Sequence, residues 1–269
     1  MTNDFTFTDS GSSDALRGAL QRGEFFLLYQ TEFDLNSGRF AGVEALIRWR
    51  HGNAIKSPPQ FLSDLSDAGE LVDVGRWALM MACEQGALWR AMGYRFTVGV
   101  NIALEQLVAP GFVVDVTEAL DTSRLPASQL TLELPPSCLD DARTSAVVVE
   151  LHALGVTLAV DNFSPDTASL DQVLALPISI LKLDRGLTSG SASHDAAQVS
   201  ATLEAAQQHG LRIVASGIEQ GEQQEWWRGL KVDAGQGFFF STPVTVEELD
   251  DVLEDYACLL YTSPSPRDS

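Results

Sequence analysis

Short apolar runs recur along the chain, and most are followed by a stretch whose apolar residues are spaced three and four apart. The runs are FFLLYQTEFDL (25–35), GVEALIRW (42–49), FTVGVNIA (96–103), LTLELP (130–135), TLAVDNF (157–163), ISILKLD (178–184), RIVASGI (212–218) and GQGFFF (235–240). Rich in β-branched and aromatic residues and bounded by turn formers, they predict eight strands. Between them GRWALMMACEQGALWRAMG (75–93), ARTSAVVVELHALG (142–155) and DAAQVSATLEAAQQHG (195–210) keep a helical period and end in Gly, which favours the left-handed turn that closes a helix. A strand-helix alternation of this kind builds a parallel sheet. Only the first connection, NSGR at 36–39, is too short for a crossover helix, so it predicts an antiparallel hairpin. The expected fold is α/β, a modified (β/α)8 TIM-like barrel with an antiparallel first strand, and an open doubly wound sheet is the other arrangement of the same pattern.

Composition agrees with one large core. Of 269 residues, 45% are hydrophobic and 20% charged, too apolar for disorder, and an α/β barrel fills this length as a single domain. No repeat of solenoid period is present. Residues 1–14 are polar and Ser-rich and read as a disordered linker ahead of a domain over 15–257. The stretch 258–269, ending YTSPSPRDS, reads as a disordered tail or as a cloning or sequencing scar. A formal net charge of −20 repels nucleic-acid phosphates and anionic lipid, so neither nucleic acid nor membrane is an expected partner. No leader pattern and no long apolar span occur. Cys83, Cys138 and Cys258 have neither CxxC nor Cys/His spacing, which argues against a disulfide framework or a zinc site and for a reducing cytoplasmic location.

Candidate chemistry comes from polar residues that intrude late in apolar strands, since strand ends gather at one face of a barrel. They are Glu44 and Arg48, Asn101, Glu133, Asp161, Lys182, Ser216 and Gln236. Side chains alternate along a strand, so Glu44, Leu46 and Arg48 share a face. Burying Glu44, Glu133 and Asp161 together is costly without a compensating cation. With the Asn101 amide they form an all-oxygen set suited to Mg²⁺, Mn²⁺ or Ca²⁺ and poorly suited to zinc. A metal-free arrangement, in which Lys182 and Arg48 neutralise the carboxylates, is the alternative.

These residues resemble a known family. VEALIRWRH (43–51) is similar to the signature of EAL-domain cyclic di-GMP phosphodiesterases. The likeness continues in order through LLYQ (27–30), SPPQFL (57–62), VNIALEQL (100–107), LELPPS (132–137), VDNFS (160–164), LKLDR (181–185), VASGIE (214–219) and GQGFFFSTP (235–243). The resemblance implies a modified barrel that hydrolyses cyclic di-GMP to linear pGpG with two divalent cations, Mg²⁺ or Mn²⁺, while Ca²⁺ substitutes without supporting catalysis. It implies Glu44, Asn101, Glu133 and Asp161 as ligands of the first metal, with Lys182, Glu44 and Asp161 as catalytic residues. Gln30, Arg48 and Gln236 are the implied substrate contacts.

The chain also departs from the family pattern. Asn162 stands where active members carry the second aspartate of a DDFG stretch, so a second-metal ligand has lost its charge. Ser216 replaces the glutamate of AEGVE implied to act on the attacking water, and a hydroxyl is no base near neutral pH. Pro136 replaces the second glutamate of an ELTE-like motif that anchors the following loop, and that loop reads SPDTASL (164–170) in place of a Gly-rich GTGYSSL. The expected function is therefore cyclic di-GMP binding and signalling by a catalytically degenerate domain, with a metal-dependent phosphodiesterase as the alternative. A protein partner or fused sensory domains would read out occupancy, and a homodimer is compatible with the sequence. Phe163 and Trp49 are candidates either to stack on guanine or to fill the core.

Overall fold

The computed structural model describes residues 14–189 and 196–262, with side chains described for 14–187 and 199–255. Of the linker expected over 1–14 and the tail expected over 258–269, residues 1–13 and 263–269 lie outside the described residues, whereas Asp14 is helical and 258–262 continue the last helix, so both expectations are corrected there. Among the described residues, nine strands form one sheet: β1 (Phe25–Asp34), β2 (Phe40–His51), β3 (Ala54–Lys56), β4 (Thr97–Asn101), β5 (Leu130–Leu134), β6 (Thr157–Phe163), β7 (Ile180–Leu183), β8 (Arg212–Ala215) and β9 (Ala234–Gln236). Eight of them run in the order β1-β9-β8-β7-β6-β5-β4-β2, and β1 pairs back onto β2 to close a barrel. β1 is antiparallel to both β2 and β9, whereas the pairings from β2 through β4 to β9 are parallel. The tight connection after β1 works as expected: Asp34 Oδ1 accepts from the amides of Asn36 and Ser37 at 3.1 and 2.7 Å.

The helices are α1 (Leu62–Asp67), α2 (Leu71–Ala91), α3 (Leu104–Leu107), α4 (Phe112–Ser123), α5 (Thr144–Ala153), α6 (Leu170–Leu174), α7 (Arg185–Ser189), α8 (Ala196–Gln208), α9 (Gly221–Gly229) and α10 (Val246–Thr262). Among the described residues, no helix is long and apolar enough to cross a membrane. The main core lies between barrel and helices; Trp89 of α2 is fully buried in it, and its indole N–H donates to Asp250 of α10 at 2.7 Å. A second cluster joins Leu16 and Ala19 to Phe25, Trp49, Phe61, Leu65 and Val74. Inside the barrel the floor is small and apolar, made of Ala159, Ile180, Val214 and Ala234.

Several expectations are corrected. The final apolar run ends as a strand at Gln236, because Gly237 turns the chain at φ +153 against the backbone of Ile218, where a Cβ would overlap. Phe238 and Phe239 therefore point outward, 62% and 43% exposed. β8 stops at Ala215 and β7 at Leu183, both shorter than their apolar runs. The short hairpin strand β3 was not expected. Phe163 and Trp49 are buried in the core, so neither offers a face to a base.

Candidate functional site

Strand periodicity sets the site directly above that floor. Two residues beyond Ala159, Ile180, Val214 and Ala234 come Asp161, Lys182, Ser216 and Gln236, on the same inward faces and nearer the C-terminal rim. Glu44, Asn101 and Glu133 join them from β2, β4 and β5, where Asn101 pairs in register with Glu133. The absent side chain of Gly99 makes room for this, since a Cβ there would fall on Glu133 Oε1.

Lys182 is the hub. Its ammonium donates to Glu44 Oε2 at 2.8 Å and to Glu133 Oε2 at 2.5 Å, and it is 2% exposed. Glu44 also accepts from Asn101 Nδ2 at 2.5 Å and from Gln236 Nε2 at 2.8 Å. Gln236 Nε2 lies 3.1 Å from Gln30 Oε1, and Gln30 in turn donates to the Ser241 carbonyl at 3.0 Å. One chain of amides thus ties β1 and β9 to the buried carboxylate on β2. Arg48 instead donates to the neighbouring Ile47 carbonyl at 2.8 Å, so of the two cations in the metal-free arrangement only Lys182 is bonded to the carboxylates.

Three carboxylates around one ammonium leave excess negative charge in a buried space. Burial pushes the Glu133 carboxyl well above the ordinary carboxylate range, and the nearby Glu44 charge adds to the rise. Burial acts on Glu44 in the same direction, yet Lys182 and the two amide donors outweigh it and hold Glu44 low. Asp161 is raised, chiefly by burial, although Lys182 opposes the shift. Burial would lower Lys182, but Glu133, Glu44 and Asp161 together keep it raised and charged. Arg48 is lowered by burial.

Asn162 adopts a left-handed backbone at φ +51, a conformation its short amide side chain tolerates, and its Nδ2 donates to Asp161 Oδ2 at 2.5 Å. Pro136 opens a tight turn (Pro136–Cys138) at the same rim. The loop after β6 closes on itself: the Ser164 amide donates to Thr167 Oγ1 at 2.9 Å, the Thr167 hydroxyl returns a bond to the Ser164 carbonyl, and Gln172 of α6 donates to Asp140.

Over this polar layer opens a cleft of about 660 Å³, bordered by Gln30, Glu44, Asp161, Ser216, Gln236 and the exposed Phe238. Of the site residues expected from the sequence, Gln30, Glu44, Asp161, Asn162, Ser216 and Gln236 line it directly; Asn101, Glu133 and Pro136 face an adjoining space beside Glu44, Lys182 lies beneath Glu44 and Glu133, and Arg48 stands outside the lining. The cleft wall also contains Glu219, a carboxylate that the sequence offers in place of the missing base, and Asp184 and Arg185, which stand in the LKLDR motif with no part assigned. Their signal was position, immediately beyond the ends of β7 and β8. As placed, no three His, Cys, Asp or Glu side chains among the described residues stand close enough to chelate one ion, because Lys182 lies between Glu44 and Glu133.

The model of the EAL domain matches residues 13–243. The bifunctional diguanylate cyclase/cyclic di-GMP phosphodiesterase MucR of Pseudomonas aeruginosa is 38% identical over 240 residues, which cover 87% of this chain and 35% of MucR. The chain thus spans about a third of the length of that relative. The solved structure of the MucR phosphodiesterase in complex with c-di-GMP superposes with a TM-score of 0.83 at 36% identity, covering 88% of this chain and 98% of that one. The EAL domain of Mycobacterium smegmatis DcpA superposes with a TM-score of 0.72 at 29% identity, covering 87% and 97%.

Proposed function

Because the chain belongs to the EAL-domain family, we propose that it binds cyclic di-GMP in the rim cleft and that Asn162 and Ser216 hold hydrolysis far below what a pair of carboxylates at those positions supports. The observation that carries this reading is an asymmetry. Gln30, Glu44 and Gln236 form one bonded array facing the cleft, whereas at position 162 an amide turns its donor onto Asp161 and at position 216 the side chain is a hydroxyl. A ligand-side layer is kept while the means of activating water is reduced.

A divalent cation fits the donor set. Glu44, Glu133 and Asp161 with the Asn101 amide oxygen are hard oxygen donors, and their net negative charge beside Lys182 suits a dication such as Mg²⁺ or Mn²⁺. Asn101 and Lys182 would both have to turn from the bonds they now make to Glu44 and Glu133. When bound, such a cation supplies Lewis-acid polarisation of a phosphate oxygen. The chain's own residues do the rest: Gln30 and Gln236 offer amides to the dinucleotide, Arg48 adds a cation at the rim for a phosphate or base edge, and Lys182, turned from the carboxylates, brings its ammonium charge to the same space. Asn162 offers an amide where a second dication would need a carboxylate, and an amide is the weaker ligand. The domain proposed begins near residue 15 and ends with α10, in place of the limit at 257, and acts in the cytoplasm. Occupancy would be passed to a protein partner or to fused sensory domains.

A second reading has one observation behind it. Glu219 lines the same cleft as Ser216, so a carboxylate is at hand to act as base in a slow phosphodiesterase. Calorimetric titration with cyclic di-GMP, first with Ca²⁺ and then with Mg²⁺ while product is followed by chromatography, separates the two. Saturable binding with negligible pGpG supports the receptor. Turnover of about 1 s⁻¹ or more, an ordinary enzymatic rate, would replace it with the enzyme.

A further inference from the structure

A second cavity, of about 400 Å³, lies between the barrel and its first helices. Its inner wall is the outward face of the β1–β2 hairpin, where Leu27 and Ile47 are register partners, and its outer wall is Leu62 of α1 with Leu71 and Ala78 of α2. Leu27, Ile47, Leu71 and Ala78 remain half-buried although helices cover them, and Leu62 is 38% exposed at the mouth. Protein interiors rarely leave so large an apolar void, and this volume falls in the range of small-molecule sites. Away from the rim the lining is mainly aliphatic, from Leu27, Ile47, Leu62, Leu71 and Val74, so that part suits chains better than flat aromatic rings.

Polar character enters at two places. At the rim the cavity is bordered by Glu44, Asn101, Glu133, Asp161 and Asn162, so it adjoins the candidate cation site and shares Glu44, Leu46, Asp161 and Asn162 with the cleft described above; the carboxylates there disfavour an anionic occupant. In the wall, Gln106 of α3 packs against the bare face of Gly75, is 3% exposed, and has an amide nitrogen with no hydrogen-bond partner. A buried donor left without an acceptor is a rarity that asks for a ligand atom.

We propose that this interlayer cavity is a second binding site, for a neutral, mainly aliphatic molecule carrying one carbonyl acceptor, such as a ketone, ester or amide. The alkyl part lies between Leu27, Ile47 and α2, and the carbonyl oxygen accepts from Gln106 Nε2 after a small shift of the carboxamide. Because the two cavities have walls in common, occupancy of this one bears on Leu46 and Asp161 from behind.

The test uses 2-octanone, octane and octanoate as probes, with the whole chain, followed by amide chemical shifts in two-dimensional NMR. The ketone is expected to bind saturably, shifting resonances of Leu27, Ile47, Leu71 and Ala78, roughly tenfold more tightly than octane, which lacks the acceptor, and with octanoate weakest. Gln106→Met keeps length and removes the donor, so it should bring ketone and alkane to equal affinity. Ala78→Leu fills the space and should abolish binding. Should that variant fold poorly, Leu62→Phe narrows the half-exposed mouth to the same end. Absence of saturable ketone binding, binding untouched by both filling variants, or a ketone preference that survives Gln106→Met would each overturn the proposal.

Discussion

Lys182→Met tests the central electrostatic argument. The substitution keeps the length and apolar stem of the side chain and deletes the ammonium that bonds Glu44 and Glu133. Lys182 and Glu133 side chains are 3% and 4% exposed, so water cannot take over the lost contacts. Breaking one partner out of a buried ion cluster costs about 3–5 kcal/mol. For a domain of this size that is a fall in Tm of about 10 °C. The sign of its pH dependence follows from Glu133. Its folded pKa stands above the unfolded value, so the native state keeps a proton that the unfolded chain has released, and stability falls as pH rises from about 4.3 through the raised folded value. Without Lys182 the folded value rises further, so the fall continues over a wider range of pH and its total is larger. Lys182 itself is raised, so its own contribution in the parent persists below its unfolded pKa of about 10.4 and is lost only above the folded one. Urea unfolding of parent and variant without added metal, at about pH 5 and about pH 8, reads the difference directly. The gap should be several-fold larger at the higher pH. A loss under about 1 kcal/mol at both pH values would mean that the cluster is hydrated or relaxed and that the buried-charge argument fails.

Other perturbations probe neighbouring features. Gly99→Ala puts a Cβ onto Glu133 Oε1, so it should push that carboxylate off Lys182 and cost about 1–3 kcal/mol in urea unfolding; an unshifted Lys182–Glu133 pair in the variant's crystal structure would contradict this. Burial pushes the thiols of Cys83 and Cys138 up to about 12 and about 11, so iodoacetamide followed by peptide mass spectrometry should leave both unlabelled in the native protein. The same shifts make the unfolded chain lose these protons first, and stability should decline above about pH 8.5; alkaline stability independent of Cys83→Ala would count against it. Asn162→Asp and Ser216→Glu together should raise hydrolysis by more than the product of the single effects, measured as pGpG by chromatography, with Pro136 and the self-closed 164–167 loop capping the gain; a merely multiplicative result would show that the two positions do not act as one unit.

The barrel was legible because its signal is local and repeated. Period-two alternation set Glu44, Leu46 and Arg48 on one face, and the short NSGR connection alone required the reversed first strand now seen paired to β2 and β9. Apolar runs overstate strand length where a single glycine bends the chain. Phe238–Phe240 read as strand because they are aromatic, but Gly237 fits against Ile218 only by leaving the sheet. Within the site, residue types could be read and pairings could not. Nothing in the order of residues says that Lys182 stands at the height of both Glu44 and Glu133, that Arg48 reaches a backbone carbonyl, or that Gln236 links Gln30 to Glu44, since these depend on barrel stagger and strand tilt. Gly99 was the one available clue, a glycine inside a strand marking a close approach.

The reversed first strand also decides where a mechanical load enters. In an all-parallel barrel the chain would begin at the base, far from the ligand face. Here Phe25 opposes Trp49, beyond Glu44 on β2, and the segment from Leu16 to Ala19 packs into the same cluster. A pull or twist applied ahead of Leu16 is therefore felt first by Phe25, Trp49 and the strand that carries Glu44 and Arg48. The base, closed by Glu32 and Arg212 at 2.7 Å, lies at the far end of the lever.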